Sequence, residues 1–122
     1  MADKGMKKRW ISLCMCILML VSLLTGCGMN TRKIKFGAAG LGGTYRVFGD
    51  TFANLVTSKN KKYSMEVKTT AGSAANLRLL SDGYIQMAIA QMDLTNDAYE
   101  RTGIFENEKK HGGYSAVAAL YT

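Results

Sequence analysis

From its amino terminus the chain passes from charge to a long apolar run, then alternates short apolar stretches with glycine-rich and polar ones. Lys4, Lys7, Lys8 and Arg9 precede an uncharged, mainly apolar run over residues 11–24. A polar segment, 28–33, follows, and residues 34–39 read as an apolar strand ended by glycines. Tyr45, Phe48, Phe52, Leu55 and Val56 then recur at i, i+3, i+7, i+10 and i+11, which puts them on one face of a helix. The polar residues 57–62 end that helix. Residues 63–70 alternate, with Tyr63, Met65 and Val67 on one face and Ser64, Glu66 and Lys68 on the other, as in a half-exposed strand. A turn at 71–73 leads into a second helix carrying Leu77 and Leu80 and closed by Asp82-Gly83. Residues 85–90, apolar apart from Gln86, suit a strand covered on both faces. A third helix is predicted over 94–101, a hydrophilic loop over 106–113 and a last apolar strand over 116–121.

The order is therefore βαβαβαβ. Such alternation predicts an α/β fold, with a mostly parallel sheet and helices on both faces. Composition agrees with one globular domain: 122 residues, 48% hydrophobic and 20% charged. With 13 Gly and no Pro, collagen-like and proline-rich repeats are excluded. The net charge of +7 raises nucleic acid as a partner. Part of that charge belongs to the first 26 residues, however, and the 12 basic and 8 acidic groups of residues 27–122 look scattered rather than striped. The lysines at 59, 61 and 62 read as a solvated loop, so no nucleic-acid partner is expected.

The opening reads as an export signal. A charged start and an apolar run of this length fit a signal h-region of about 7–15 residues, short of the roughly 20 needed to cross a bilayer. The run ends at Leu24-Thr25-Gly26-Cys27, which resembles the bacterial lipobox. Small residues at 25 and 26 let a peptidase reach the backbone, and the thiol of Cys27 receives a diacylglycerol. Residues 1–26 are thus expected to be a lipoprotein signal peptide, 27–33 a lipidated tether and 34–122 the domain. The address is extracytoplasmic, lipid-anchored to the cell membrane. Cys14 and Cys16 would leave with the leader. Two residues apart on a helix they face different ways, so they form neither a redox pair nor a metal clip.

Three times a strand gives way to a helix across small or hydrogen-bonding residues, at 37–45, 69–76 and 90–93. In an open α/β sheet all three junctions lie at the carboxyl edge of the strands, where ligands bind. Each helix start offers unpaired N–H groups and a positive dipole end, which suit an anion. Each dipole supplies only about 0.3–1 kcal/mol, so several must converge. The first junction has the frame of a phosphate-binding P-loop, yet Gly43 stands where the lysine must be. Tyr45 likewise replaces the third glycine of a dinucleotide fingerprint. Enzymatic readings are weak: Ser73 has no base partner, and the single histidine, His111, reads as part of a solvated loop. No zinc site can be written from one His and one acylated Cys. No metal, cofactor or catalytic residue is therefore expected. Ser73 reads as a helix N-cap and Asp93 as a cap of the third helix. Tyr45 is either the first core residue of its helix or a ligand contact. Gln91, ending a buried strand, needs a hydrogen-bond partner that a ligand could supply.

Together, Gly40-Leu-Gly42-Gly43-Thr44-Tyr45, Ala71-Gly72-Ser73-Ala-Ala-Asn76-Leu77-Arg78-Leu79 and Ala88-Ile89-Ala90-Gln91-Met92-Asp93 resemble the TAXI family. These are the extracytoplasmic solute receptors of one class of TRAP transporter. The resemblance covers residues 34–122, including Asp97-Ala98-Tyr99 and Thr102-Gly103. It implies a type II periplasmic-binding-protein-like fold, of which this chain holds an incomplete first lobe. It also implies a non-enzymatic receptor that captures a small organic anion or amino acid, glutamate-like, and delivers it to membrane permease subunits. Gly43, Thr44 and Tyr45 would line the cleft, with Ser73 and Asn76 contacting the ligand from the second junction and Gln91 and Asp93 from the third. The sequence departs from the family in lacking its proline soon after the tyrosine: Arg46-Val47 follow Tyr45. The competing expectation is a truncated, ligand-free interaction remnant tethered to the surface.

Overall fold

The computed structural model describes residues 3–24 and 31–120, with side chains over 6–17 and 31–120. The chain divides into two units, Met1–Asn30 and Thr31–Thr122. In the first, a single helix, α1 (Asp3–Leu24), takes in both the charged start and the apolar run. Among the described residues no helix is long and apolar enough to cross a membrane. Cys27, expected to carry the lipid, lies outside the described residues.

The second unit runs β1 (Arg32–Gly37), α2 (Thr44–Lys59), β2 (Tyr63–Lys68), α3 (Ser73–Ser81), β3 (Met87–Ala88), α4 (Met92–Glu100) and a 3-10 turn at Gly103–Phe105. The strands form one parallel sheet in the order β2-β1-β3. Arg32 stands opposite Tyr63 and Gly37 opposite Lys68, while Phe36 and Gly37 pair with Met87 and Ala88. The sheet thus grows first to one side of β1 and then to the other, which creates a switch point between β1 and β3.

Two adjacent residues show why helices cover both faces. Side chains alternate along a strand, so Phe36 and Gly37 look in opposite directions. Phe36 meets α2: its ring centroid is 6.0 Å from that of Phe52, and a Cβ on Gly49 would stand 3.1 Å from the ring. Gly37 meets α3, where a Cβ would stand 2.6 Å from Asn76 Oδ1. One core cluster forms on Phe36, Ala38 and Ile89, a second on Leu77, Ala98 and Phe105. The fold is α/β, a small parallel sheet with helices packed on both of its faces.

Several boundaries differ from the sequence pattern, each for a local reason. α2 starts at Thr44 and continues through the polar residues at 57–59, because these find partners in helical geometry. Ser58 Oγ donates to the Leu55 carbonyl at 3.0 Å, and Thr57 Oγ1 accepts the Met65 N–H at 3.1 Å. Leu55 is exposed, since the small residues Gly49 and Ala53 occupy the strand-facing side of α2. β3 shrinks to two residues. The N–H groups of Tyr84 and Ile85 still bond the Leu79 carbonyl, so the chain is leaving the turn after α3. The Gln86 side chain then accepts the Lys35 N–H at 3.0 Å in place of a backbone carbonyl. α4 begins at Met92, ahead of the predicted 94.

Among the described residues the fourth strand is absent. Residues 116–120 form no regular structure and are exposed, Val117 at 83%. An apolar run becomes a strand only beside a neighbour that takes up its backbone groups, and no described strand pairs with this one.

His111 is the clearest departure. The sequence suggested a solvated loop; the ring is 3% exposed and packs edge-on against Phe105, with centroids 5.5 Å apart. Its Nε2 lies 2.9 Å from Glu108 Oε2. A carboxylate can only accept, so Nε2 carries the hydrogen and the buried Nδ1 is left without a hydrogen-bond partner among the described residues. Arg78 of α3 grips the same carboxylate through Nε at 2.9 Å and Nη2. Its guanidinium also lies 4.7 Å over the Phe105 ring centroid. The loop over 106–114 is thereby fastened to α3.

Arg78 first, and then His111, hold the Glu108 carboxyl down to about 2. Because the folded value lies below the ordinary 4.5, the stabilisation is whole above that value and disappears as pH falls toward 2. In acid titrations followed by thermal melting, wild type should therefore lose more stability than Glu108→Gln between about pH 4.5 and pH 2. Identical acid slopes for the two proteins would count against the network.

Candidate functional site

The site is built where β1, β2 and β3 hand over to α2, α3 and α4. Gly43, Gly72 and Gln91 are the N-caps of these helices, and none of them accepts a first-turn N–H with its own side chain. α2 and α3 also have no acidic residue in their first turn, so their positive ends are not offset by their own side chains. In α4 the first-turn Asp93 does offset the dipole, and its Oδ1 accepts the Leu94 N–H at 2.8 Å. Gly72 has φ +93°, a conformation that a side chain would resist, and its N–H points back to Thr70 Oγ1 at 3.3 Å.

The three helix starts border one open cleft of about 490 Å³. Gly43, Thr44 and Tyr45 line it from the first junction, Gly72 and Ser73 from the second, and Gln91 and Leu94 from the third. Side chains tie the junctions to one another. Thr70 Oγ1 donates to the Ala38 carbonyl at 2.9 Å, which joins the second to the first. Ser73 Oγ accepts the Gln91 N–H at 3.1 Å, which joins the second to the third. Arg46 of α2 reaches Thr69 Oγ1 with Nη1 at 2.9 Å while its Nε bonds both oxygens of Asp50. The Arg46–Asp50 spacing of four was visible in the sequence; the links through Thr69 and Thr70 cross sequence distances no local pattern encodes.

Not all seven sequence-derived positions come together. Gly43, Thr44, Tyr45, Ser73 and Gln91 line the cleft. Tyr45 lines the cleft and also packs against the Phe36 cluster, as the first core residue of its helix would. Ser73 is not an N-cap: Gly72 holds that place, and the buried Ser73 hydroxyl serves the third junction instead. An accepting hydroxyl still has its hydrogen to donate. Gln91 is exposed rather than buried, because β3 ends three residues before it and the chain has already turned outward. Asp93 is exposed and outside the cleft lining.

Asn76 is displaced from the site altogether. It is 0% exposed, and its Nδ2 faces three backbone carbonyls: Ala38 at 2.7 Å, Ile89 at 2.8 Å and Gly37 at 3.2 Å. Two N–H bonds thus gather the ends of β1 and β3 from behind the cleft. The other side of the amide, Oδ1, is buried without a hydrogen-bond partner among the described residues and rests against Gly37, where no Cβ intrudes.

Compared with known protein families, residues 36–122 match the NMT1-like family. The chain belongs to the NMT1-like family. The match begins at Phe36 and passes through all three junctions. This family is of the periplasmic solute-binding type, and membership points to a substrate-binding receptor for a small molecule. The cleft of this NMT1-like domain sits where such a ligand would be expected, at the switch point of the sheet. Among the described residues no three His, Cys, Asp or Glu group to hold a metal ion.

Replacing the Asn76 amide takes its donor from the Ile89 carbonyl and empties a buried position at the centre of the site, while the Gly37 and Ala38 carbonyls keep the Ile89 N–H and the Thr70 hydroxyl. Asn76→Ala should lower the unfolding free energy by about 3 kcal/mol, read as a lower urea midpoint with an unchanged slope. Ser73→Ala removes only the acceptor of one N–H and should cost about 1 kcal/mol. The reverse ranking would contradict the roles assigned here.

Proposed function

We propose that this NMT1-like domain belongs to the extracytoplasmic receptor of a TAXI-type TRAP transporter. It is held at the membrane by an acylated Cys27 and captures a small organic anion or amino acid, glutamate-like, for delivery to membrane permease subunits. Its work is binding, with no chemical step. The observation that carries the reading is the meeting of three helix starts on one cleft, two of them, α2 and α3, with neither a side-chain cap nor an acidic residue in the first turn. Peptide N–H groups at helix starts bind carboxylates without a cation, and the Ser73 hydroxyl adds a side-chain donor to the wall. The order of the TAXI-like motifs along residues 40–93 supports the class of transporter.

One wall of a cleft gives only part of a receptor's affinity. Half of the roughly 8 kcal/mol behind micromolar binding leaves about 4, which is millimolar. Melting of the full chain in detergent should therefore rise with millimolar glutamate or a short dicarboxylate and stay unmoved by the matching diamide. Thr44→Asp puts a carboxylate at the start of α2. It should leave the domain at least as stable while removing the response to the anion. A wild-type melt indifferent to every anion would overturn the proposal and favour a ligand-free, surface-tethered interaction module. The exposed apolar segment at 116–120 is the feature that supports that second reading.

A further inference from the structure

The charges that looked scattered along the chain are sorted by the fold. Between residues 31 and 81 nine Lys and Arg accompany two Asp and Glu; between 82 and 120 three accompany six. The basic half is densest at the amino-terminal edge of the sheet. Parallel pairing puts Arg32 opposite Tyr63, and the Arg32 N–H bonds the Lys62 carbonyl at 2.8 Å. The start of β1 therefore lies against the turn that carries Lys61 and Lys62, with Lys59 in the last turn of α2 above it. All of these side chains are exposed. Among the described residues, the only ion pair at this edge is Lys33 with Glu66 at 4.0 Å.

This edge is also where the chain enters the domain. Thr31 Oγ1 lies 3.4 Å from the Lys61 carbonyl, and Thr31 is four residues beyond Cys27. Four residues reach at most about 14 Å. An acyl group on Cys27 would therefore keep Thr31 within about 14 Å of the headgroups, a gap that the long exposed side chains beside it can bring within the roughly 8 Å over which the surface potential acts at physiological salt.

We infer that Arg32, Lys33, Lys59, Lys61 and Lys62 form a contact surface for anionic lipid headgroups that seats the amino-terminal edge of the sheet on the bilayer. The inference rests on the reading that Cys27 anchors the chain. The cleft, at the opposite ends of the strands, then faces away from the lipid by about the length of β1, roughly 20 Å for six residues. The charge pattern favours lipid over nucleic acid because the cations crowd the end of the domain that a short tether would hold against a membrane.

The test is partition of the acylated full chain onto vesicles of phosphatidylcholine alone and of phosphatidylcholine with phosphatidylglycerol. Lys61→Gln with Lys62→Gln should lower partition onto the anionic vesicles by ~30-fold and leave partition onto the neutral ones unchanged. Lys109→Gln with Lys110→Gln removes the same charge from the acidic half and should change neither. Equal losses for the two pairs would mean that net charge alone is read, and would overturn the patch. So would stronger binding of the wild type to duplex DNA than to anionic vesicles at the same salt, if Lys61 and Lys62 carried it. Failure to partition onto neutral vesicles would instead overturn the anchoring reading.

Discussion

The domain depends on one buried amide. Asn76 Nδ2 stands among the carbonyls of Gly37, Ala38 and Ile89, where β1 and β3 end and the chain turns outward. With two hydrogens and no competing solvent, it adds side-chain bonds to carbonyls of both strands beyond what their backbone pairing supplies. It also fixes the spacing between the two strands at the switch point. The requirement passes back to residue 37, which must be glycine because a Cβ would stand 2.6 Å from the same amide. A polar side chain that sequence reasoning assigns to a ligand thus builds the floor beneath the ligand's place.

From that floor the site follows. Once β1 and β3 are pinned, Thr70 and Ser73 join the second junction to its two neighbours, and the starts of α2, α3 and α4 are brought to a common cleft. The caps are Gly43, Gly72 and Gln91, whose side chains make no capping bond, so none of them competes with a ligand for the first N–H groups; in α4 Asp93 takes the Leu94 N–H. Serine or aspartate at those positions would give the helices more stability and the cleft fewer donors. A site of this kind is suited to recognising charge and shape with backbone atoms, as the proposed function requires.

Much of the fold was legible because it is periodic. The helical recurrence of Tyr45, Phe48 and Phe52 and the alternation of Tyr63, Met65 and Val67 each marked a real element, and their order marked an α/β lobe. The three junctions were legible as glycine and small-residue clusters. Illegible were features that depend on partners far along the chain. Gln86 shortens β3 by bonding Lys35 across 51 residues. His111 is buried because Phe105, Glu108 and, 33 positions away, Arg78 enclose it. The run at 116–120 has a strand's composition and, among the described residues, no strand beside it. The grouping of charge was hidden for the same reason, since residues near 32 and 61 look unrelated until parallel pairing makes them neighbours.

The account stands on the claim that the three helix starts bind one anion together. Amide chemical shifts of the isotope-labelled full chain in detergent, recorded during a glutamate titration, address this residue by residue. Gly43 to Tyr45, Gly72 to Ala74 and Met92 to Leu94 should shift along one shared binding curve, with Lys61 and Lys62 unmoved. Shifts confined to the lysines, or three junctions that titrate independently, would contradict it.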